Sequence, residues 1–263
     1  MKTALLLTTF LRDNLLYKTI PTIVDFFPDN CILLIADQGY NSQEKLDFIE
    51  SIKKSIPCEY YRTPWDSGIS YNRNFLVEKA NEFGCDYVLL MADSLQLTSK
   101  PNLQPIIEMV ESNPNYGIVG FSLDNYPVWR GTLELIPGQH FLVDVPKEEP
   151  IMYNGVSFLP VDGVSNFFLS KIKTLIDNPY DNELRLMEWE DFFWRLKTNT
   201  PYKVFYTDFI KGKHIKNRNG EYEQYRGRAT KEYNKLVEEK YKIKRWVKVS
   251  EQFYPYLRKN NEK

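Results

Sequence analysis

Groups that build metal centres and disulfides are scarce in this sequence: its 263 residues include three cysteines and two histidines. Cys31, Cys58 and Cys85 are odd in number, show no CxxC spacing, and stand at or beside apolar strand-like runs. They read as buried free thiols in a reducing compartment rather than as a disulfide framework. No apolar run is long enough to cross a bilayer, and Ala4-Leu5-Leu6-Leu7 soon meets Arg12-Asp13-Asn14, so the N-terminal run fits a first β-strand better than a signal or membrane segment. The expected location is cytoplasmic, with the inner face of a membrane as a variant of it. A net charge of -1 gives no overall bias toward nucleic acid. Also missing are a GxGxxG after the first strand and a GxxxxGK(S/T) anywhere, so the usual dinucleotide and P-loop phosphate cradles are absent. There is no internal repeat or low-complexity tract.

What is present is an ordinary globular composition, 43% apolar and 26% charged, with enough chain for a substantial core. Aromatic content is high at 15%, and Tyr and Trp are residues that stack on sugars and bases while offering a polar tip. The chain is organised around Asp86-Tyr87-Val88-Leu89-Leu90-Met91-Ala92-Asp93, a short apolar run ending in a lone carboxylate. Such a run reads as a buried parallel strand delivering Asp93 to its C-terminal end, where open α/β sheets bind ligands. A helix N-cap or turn aspartate is the alternative. Residues 3–10 read as a first strand, and Cys31 to Ala36 as a second that delivers Asp37. Cys58 to Arg62 reads as a third. Between them, Leu15, Leu16, Ile20, Ile23, Val24 and Phe27 mark one amphipathic helix, Leu46, Phe48, Ile49 and Ile52 another, and residues 71–83 a third. Alternating strands and helices with short connections imply right-handed crossovers and a parallel sheet covered on both faces.

A helix over 101–112 and a strand at 116–121 follow. From Asp124 to Pro160 the pattern is Gly/Pro-punctuated and β-rich, and is expected to form a hairpin excursion over the sheet. Val161 to Leu169 reads as a strand, Leu184 to Lys197 as an amphipathic helix, and Val204 to Tyr206 as a late strand ending near His214. From Lys211 onward the chain is basic and carries Trp246, Phe253, Tyr254 and Tyr256. A solvated helical face, a contact with an anionic membrane surface, and a phosphate-bearing partner are the readings open for it.

With these pieces placed, the sequence resembles the GT-A glycosyltransferases, in particular the family-2-like enzymes and the related β1,4-N-acetylgalactosaminyltransferase group. The resemblance covers most of residues 3–217 and rests on four stretches taken in order: Thr8-Thr9-Phe10 and Arg12 with Ile35-Ala36-Asp37-Gln38-Gly39; Gly68-Ile69-Ser70-Tyr71-Asn72-Arg73-Asn74 leading to Asp93; Val161-Asp162-Gly163-Val164-Ser165-Asn166-Phe167-Phe168-Leu169; and Glu188-Trp189-Glu190-Asp191-Phe192-Phe193 followed by His214. It implies an α/β GT-A, Rossmann-like, mostly parallel sheet with helices on both faces over residues 1–217. A basic helical extension over 218–263 would pack on it.

The resemblance further implies transfer of a hexose or N-acetylhexosamine from a nucleoside diphosphate donor, UDP-linked foremost, to a glycan or lipid-linked hydroxyl, with inversion. It assigns donor binding to Thr8, Phe10, Arg12, Asp37, Gly68, Arg73 and Asp93. Acceptor binding falls to Asp162, Asn166 and Trp189, and general-base chemistry to Asp191 with Glu190 orienting the acceptor. Mn²⁺ or Mg²⁺ would be held by Asp93 and His214. The family's acidic triplet is here Ala92-Asp93-Ser94, with one carboxylate left. Several of these residues also have structural readings. Arg73 could pair with Asp66 or Glu78, Glu190 and Asp191 could simply charge a first helical turn, Asp162 could sit in a turn, and His214 among lysines could be a solvated surface residue. Trp129, Trp189 and Trp194 are candidates for stacking on a sugar ring, and packing accounts for Trp194 equally well. An inactive sugar- or nucleotide-binding domain and a sugar nucleotidyltransferase are the functional alternatives. Nucleic acid is not an expected partner.

Overall fold

The computed structural model describes residues 1–124, 130–136, 140–144, 148–216, 220–242 and 245–248. The N-terminal part alternates strand and helix: β1 (Thr3–Thr9), α1 (Asp13–Asp25), β2 (Cys31–Asp37), α2 (Gln43–Lys53), β3 (Cys58–Arg62), α3 (Ile69–Glu82) and β4 (Tyr87–Ala92). Next come β5 (Leu95–Leu97), α4 (Gln104–Glu111), β6 (Tyr116–Leu123), β7 (Arg130–Ile136), β8 (His140–Asp144), β9 (Ile151–Tyr153) and β10 (Val156–Val161). The described elements close with β11 (Gly163–Val164), β12 (Phe168–Lys171), α5 (Ile172–Asp177), α6 (Glu188–Asn199), β13 (Lys203–His214), α7 (Gly220–Tyr241) and β14 (Arg245–Lys248).

The apolar runs of β1, β2 and β4 become central strands because both of their faces are covered. Leu5, Leu7, Leu33, Ile35, Leu89 and Met91 pack on one side with Leu16 and Ile20 of α1, Ile49 of α2 and Ile106 of α4. Their neighbours in sequence, Ala4, Leu6, Leu34, Ala36, Val88 and Leu90, pack on the other with Leu76 of α3, Leu175 of α5 and Phe192 of α6. This is the two-residue alternation of a strand, and each fully buried Leu or Ile stabilises the fold by about 1.5–3 kcal/mol. The main sheet runs β3-β2-β1-β4-β12-β6-β13-β10-β9, with β5 pairing β13. Its first four strands are parallel, and β12, β10 and β5 run against the direction of the rest. The register sets Thr9 opposite Asp37 and Thr8 opposite Ala92, so the C-terminal ends of β1, β2 and β4 form one edge.

Four expectations need correction. The run 161–169 is not one strand but the end of β10, β11 and the start of β12. The break is at Asp162, whose N–H bonds Gly131 and whose carboxylate accepts from Leu133 N–H at 2.8 Å, so the chain leaves β13 and pairs with β7. Residues 184–187 precede the helix rather than begin it, because Met187 is left-handed at φ 62 and α6 starts at Glu188. The late strand is much longer than 204–206, continuing to His214 past an irregularity between Tyr206 and Lys211. The hairpin excursion is present as β7 and β8, within a second sheet of order β11-β7-β8-β14. Since β14 pairs with β8, the region after 217 is not helical throughout.

All three cysteines are free and buried. Burial pushes the Cys31 and Cys58 thiols up to about 12, which keeps them protonated and unreactive. Among the described residues no helix is long and apolar enough to cross a membrane. Trp129 and the aromatic residues 253–256 lie outside the described residues.

Candidate active site

The chain turns at the C-terminal edge of the sheet with Asp93 fully buried there. It caps no helix, because the chain continues into β5. Thr9 donates its hydroxyl to Asp93 Oδ2 at 3.0 Å, and Arg12 donates Nε to the same oxygen at 3.1 Å and Nη2 to Oδ1. The Thr19 hydroxyl holds the Asp93 carbonyl at 2.7 Å. Burial pushes the Asp93 carboxyl up, against the pull of Arg12 and of the Thr9 hydroxyl. Burial also draws the Arg12 guanidinium down, but Asp93, Tyr222 and Glu223 outweigh it and leave the group raised. The Tyr222 ring from α7 lies over Arg12, its centroid 4.3 Å from the guanidinium carbon.

In front of this pair opens a cavity of about 390 Å³. Thr8, Thr9, Phe10 and Arg12 line it from the end of β1, and Gln38, Asp66 and Gly68 from the loops after β2 and before α3. Arg185 and Leu186 line it from the stretch before α6, and Tyr222, Tyr225, Arg226, Glu232 and Tyr233 from α7. Gly68 is required twice: its φ is +93, and a Cβ there would come within 2.7 Å of the Arg185 backbone. Its N–H bonds Gln38 Oε1 at 2.7 Å, tying the loop before α3 to the end of β2. Arg185 is half exposed and meets Asp66 only at 3.5 Å. At the mouth, Phe10 packs edge-on against Trp65 at 5.3 Å and Tyr225 at 5.4 Å, and Tyr40 lies against Trp65 at 4.3 Å. Trp65 and Tyr40 remain 42% and 59% exposed, an unusual amount of open aromatic surface for packing alone.

Of the residues singled out in the sequence, Thr8, Phe10, Arg12 and Gly68 meet at the cavity, with Asp93 directly behind Arg12. Others do not reach it. Asp37 is fully buried and accepts from Gly39 N–H at 2.8 Å, Lys45 Nζ at 2.7 Å and the Tyr60 hydroxyl at 2.8 Å. Lys45 is itself buried and also pairs with Asp13, so Asp37 does not line the cavity, whereas its neighbour Gln38 does. Arg73 pairs with Glu188 at 2.7 Å and lies over Tyr180. It is a buried strut between α3 and α6 rather than a donor contact, and its partner is neither Asp66 nor Glu78. Asp162 binds Leu133 N–H and Lys197. Trp189 donates its indole N–H to the Val164 carbonyl and packs over Gly163 and Phe193. Asn166 is partly buried, and neither it nor those two line the cavity.

Asp191 is the largest departure from expectation. It has no exposed surface, its Oδ2 takes Arg195 Nε at 2.8 Å, and its Oδ1 takes the Tyr241 hydroxyl at 2.6 Å and Lys240 Nζ at 2.7 Å. These partners occupy both of its oxygens and fasten the end of α7 to α6. Glu190 is also buried. Both belong, with Glu188, to the acidic first turn of α6, which suits the positive end of a helix.

His214 ends β13 opposite Leu95, two residues beyond Asp93. Burial lowers its imidazole, reinforced by Arg12, Lys216 and Arg226. Mg²⁺ or Mn²⁺ wants several hard oxygens. This set offers one carboxylate, with both oxygens on Arg12, and an imidazole held among cations. Among the described residues no three His, Cys, Asp or Glu side chains converge elsewhere. The side chains as arranged do not fit a divalent ion.

Sequence reasoning missed the α7 contribution. The signal was Tyr222, Tyr225 and Arg226, three and four residues apart and therefore on one helical face; the basic residues of this region left a solvated face, a membrane contact and a phosphate-bearing partner all open. Arg185 carried no signal, lying outside any motif.

The mostly parallel α/β sheet carries its cavity at the C-terminal ends of its parallel strands, where open α/β sheets bind ligands, and its GT-A class rests on its likeness to known proteins. The model of glycosyl transferase family 2 matches residues 5–156, more than half of the chain, and the chain belongs to that family. Among curated proteins none matches. Among solved structures, GalNAc-T7 with UDP, GalNAc and Mn²⁺ is similar at TM-score 0.64 and 11% identity, over 83% of this chain and 44% of that one. The mannosyltransferase PcManGT from Pyrobaculum calidifontis, with GDP-Man and Mn²⁺, is similar at 0.59 and 9%, over 99% and 69%. TarS 1-349 of S. aureus with UDP-GlcNAc gives 0.59 and 12%, over 84% and 60%. The chain spans only 37% of the longer TarS structure, and at these identities the likeness is one of fold.

Proposed function

We propose that this chain transfers a sugar, a hexose or N-acetylhexosamine, from a nucleoside diphosphate donor, UDP foremost, to a hydroxyl of a glycan or lipid-linked acceptor with inversion. The observation that carries the reading is the cavity at the ends of β1 and β4, where an aromatic cluster and arginine side chains adjoin. A nucleotide offers a flat base and a diphosphate, which match those two features. Phe10, with Trp65 and Tyr40 at the mouth, supplies faces for the base. Thr8, Thr9 and Gln38 supply polar contacts, and Arg12 and Arg185 meet the charge that builds on the diphosphate as the sugar leaves. The nucleotide sugars named for the TarS and PcManGT structures support this donor class. Mn²⁺ in GalNAc-T7 and PcManGT is the support for a divalent ion, and it comes from those proteins rather than from the side chains here. The carboxylates bordering the cavity are Asp66 and Glu232, and in place of Asp191 they are the groups available to an acceptor. The basic C-terminal region is a surface for an anionic membrane.

The engagement of Asp191 by α7 favours one second reading, a family member that binds a nucleotide sugar without transferring it. Incubation with a panel of UDP- and GDP-sugars, with release of the nucleoside diphosphate as the readout, separates the two. Release from at least one donor is expected. Binding without release from any donor in the panel, with glycan acceptors present, sinks the transferase reading and leaves the binder.

A further inference from the structure

The cavity is lined by several cationic side chains. Three guanidinium groups line it, from three separate segments: Arg12 at the N-terminus of α1, Arg185 in the stretch before α6, and Arg226 on α7. Arg12 is committed to Asp93 through Nε and Nη2, and Nη1 has no described partner. A guanidinium gripped on one edge by a carboxylate and covered on its face by Tyr222 is locked in orientation. It can still donate in its own plane to a second anion. Carboxylate, cation and phosphate in that order is also how an acidic residue and a divalent ion present a positive charge to a diphosphate, and here the cation is a side chain.

We propose that the cavity grips the diphosphate of a nucleotide through arginine, with the Arg12 guanidinium seated on Asp93 in place of a divalent ion and with Arg185 and Arg226 closing on the same anion. This rests on the nucleotide reading given above and specifies how the phosphates are held. Arginine suits the task because its fork matches two phosphate oxygens at once and its charge persists at every working pH. Asp93 then acts as the positioning residue that fixes Arg12. Its single carboxylate suffices for that, whereas a metal would need more ligands.

The test is titration calorimetry of the full chain with UDP and GDP, in excess EDTA and again in excess MnCl₂, with uridine as the phosphate-free control. At least one nucleotide should bind with affinities agreeing within about threefold in the two buffers, since no ion is required. One charge-assisted hydrogen bond corresponds to roughly tenfold in affinity, so R12Q and R185Q should each weaken that nucleotide by about tenfold or more and leave uridine unchanged. R12K should fall between R12Q and the parent, because lysine keeps the charge and loses the fork. R12Q leaves Asp93 buried without its partner and can fail to fold; R185Q alters a half-exposed side chain and keeps the test decisive. Nucleotide binding that collapses in EDTA and returns with Mn²⁺ overturns the inference while leaving the nucleotide reading intact, and so does full affinity in R185Q and R12K. Absence of binding by UDP and GDP in both buffers overturns both.

Discussion

Two buried carboxylates stand at the same edge of the same sheet and have opposite fates. Asp37 ends β2 and Asp93 follows β4, and both are fully buried. Asp37 is paired by Lys45, a side chain from α2 that is itself sealed from solvent, and by the Tyr60 hydroxyl. Asp93 is paired by Arg12, which borders the cavity. A strand end in an α/β sheet marks where a ligand can bind, but the partner of the carboxylate decides whether it does. A cation with no open side closes the position as structure, whereas a cation with one side on a cavity carries the charge outward.

The sharpest way to break this comparison is Lys45→Met, which keeps the bulk of the side chain and removes the charge. It leaves Asp37 buried without its cation, and breaking a buried pair from one side costs about 3–5 kcal/mol. Chemical denaturation should show that loss. UDP affinity, measured where the variant remains folded, should stay within about twofold of the parent. Loss of nucleotide binding at full stability would place Asp37 at the donor site after all.

This contrast also shows how far the sequence could be read. The runs at 3–10, 31–36 and 86–92 were legible because continuous apolar strands between amphipathic helices leave little choice of architecture, and the position of Asp93 followed from the length of its run. The partners were not legible. Lys45 lies in no motif of the sequence, yet its side chain crosses to Asp37; Glu188 lies 115 positions from Arg73. Ion pairing depends on where elements dock, and no local spacing encodes that. The stretch 161–169 was misread for the same reason, since the change of sheet at Asp162 is imposed by β7 and by the Trp189 ring over Gly163. The α7 face failed differently: its spacing was visible, but the surface it covers was not.

Asp191 extends the comparison, since it resembles Asp37 in burial and in having only structural partners. Asp191→Asn keeps the shape and removes the charge that holds Lys240 and Arg195. Charge-assisted hydrogen bonds contribute about 1.5–3 kcal/mol, so a loss of about 2 kcal/mol in unfolding free energy is expected. Amide exchange should speed up along the C-terminal half of α7, where Tyr233 and Val237 are its buried anchors. A variant with unchanged stability and abolished sugar transfer would instead return Asp191 to the role of base.

The smallest effect belongs to His214, which stands beside Arg12 on the Asp93 side of the comparison. Its imidazole is lowered from 6.5 by burial and by the positive charges of Arg12, Lys216 and Arg226. The native state therefore binds fewer protons at this position than the unfolded chain. Stability rises with pH wherever the unfolded state binds more protons, so the contribution is complete above the unfolded value and is lost as pH falls through 6.5 toward the lowered native value. His214→Gln removes this titration. Thermal midpoints measured between about pH 7 and pH 5 should fall less steeply in the variant than in the parent. Equal slopes would mean that the histidine is solvated, as its lysine-rich surroundings in the sequence imply. They would also mean that the positive field around Arg12 does not extend to the end of β13.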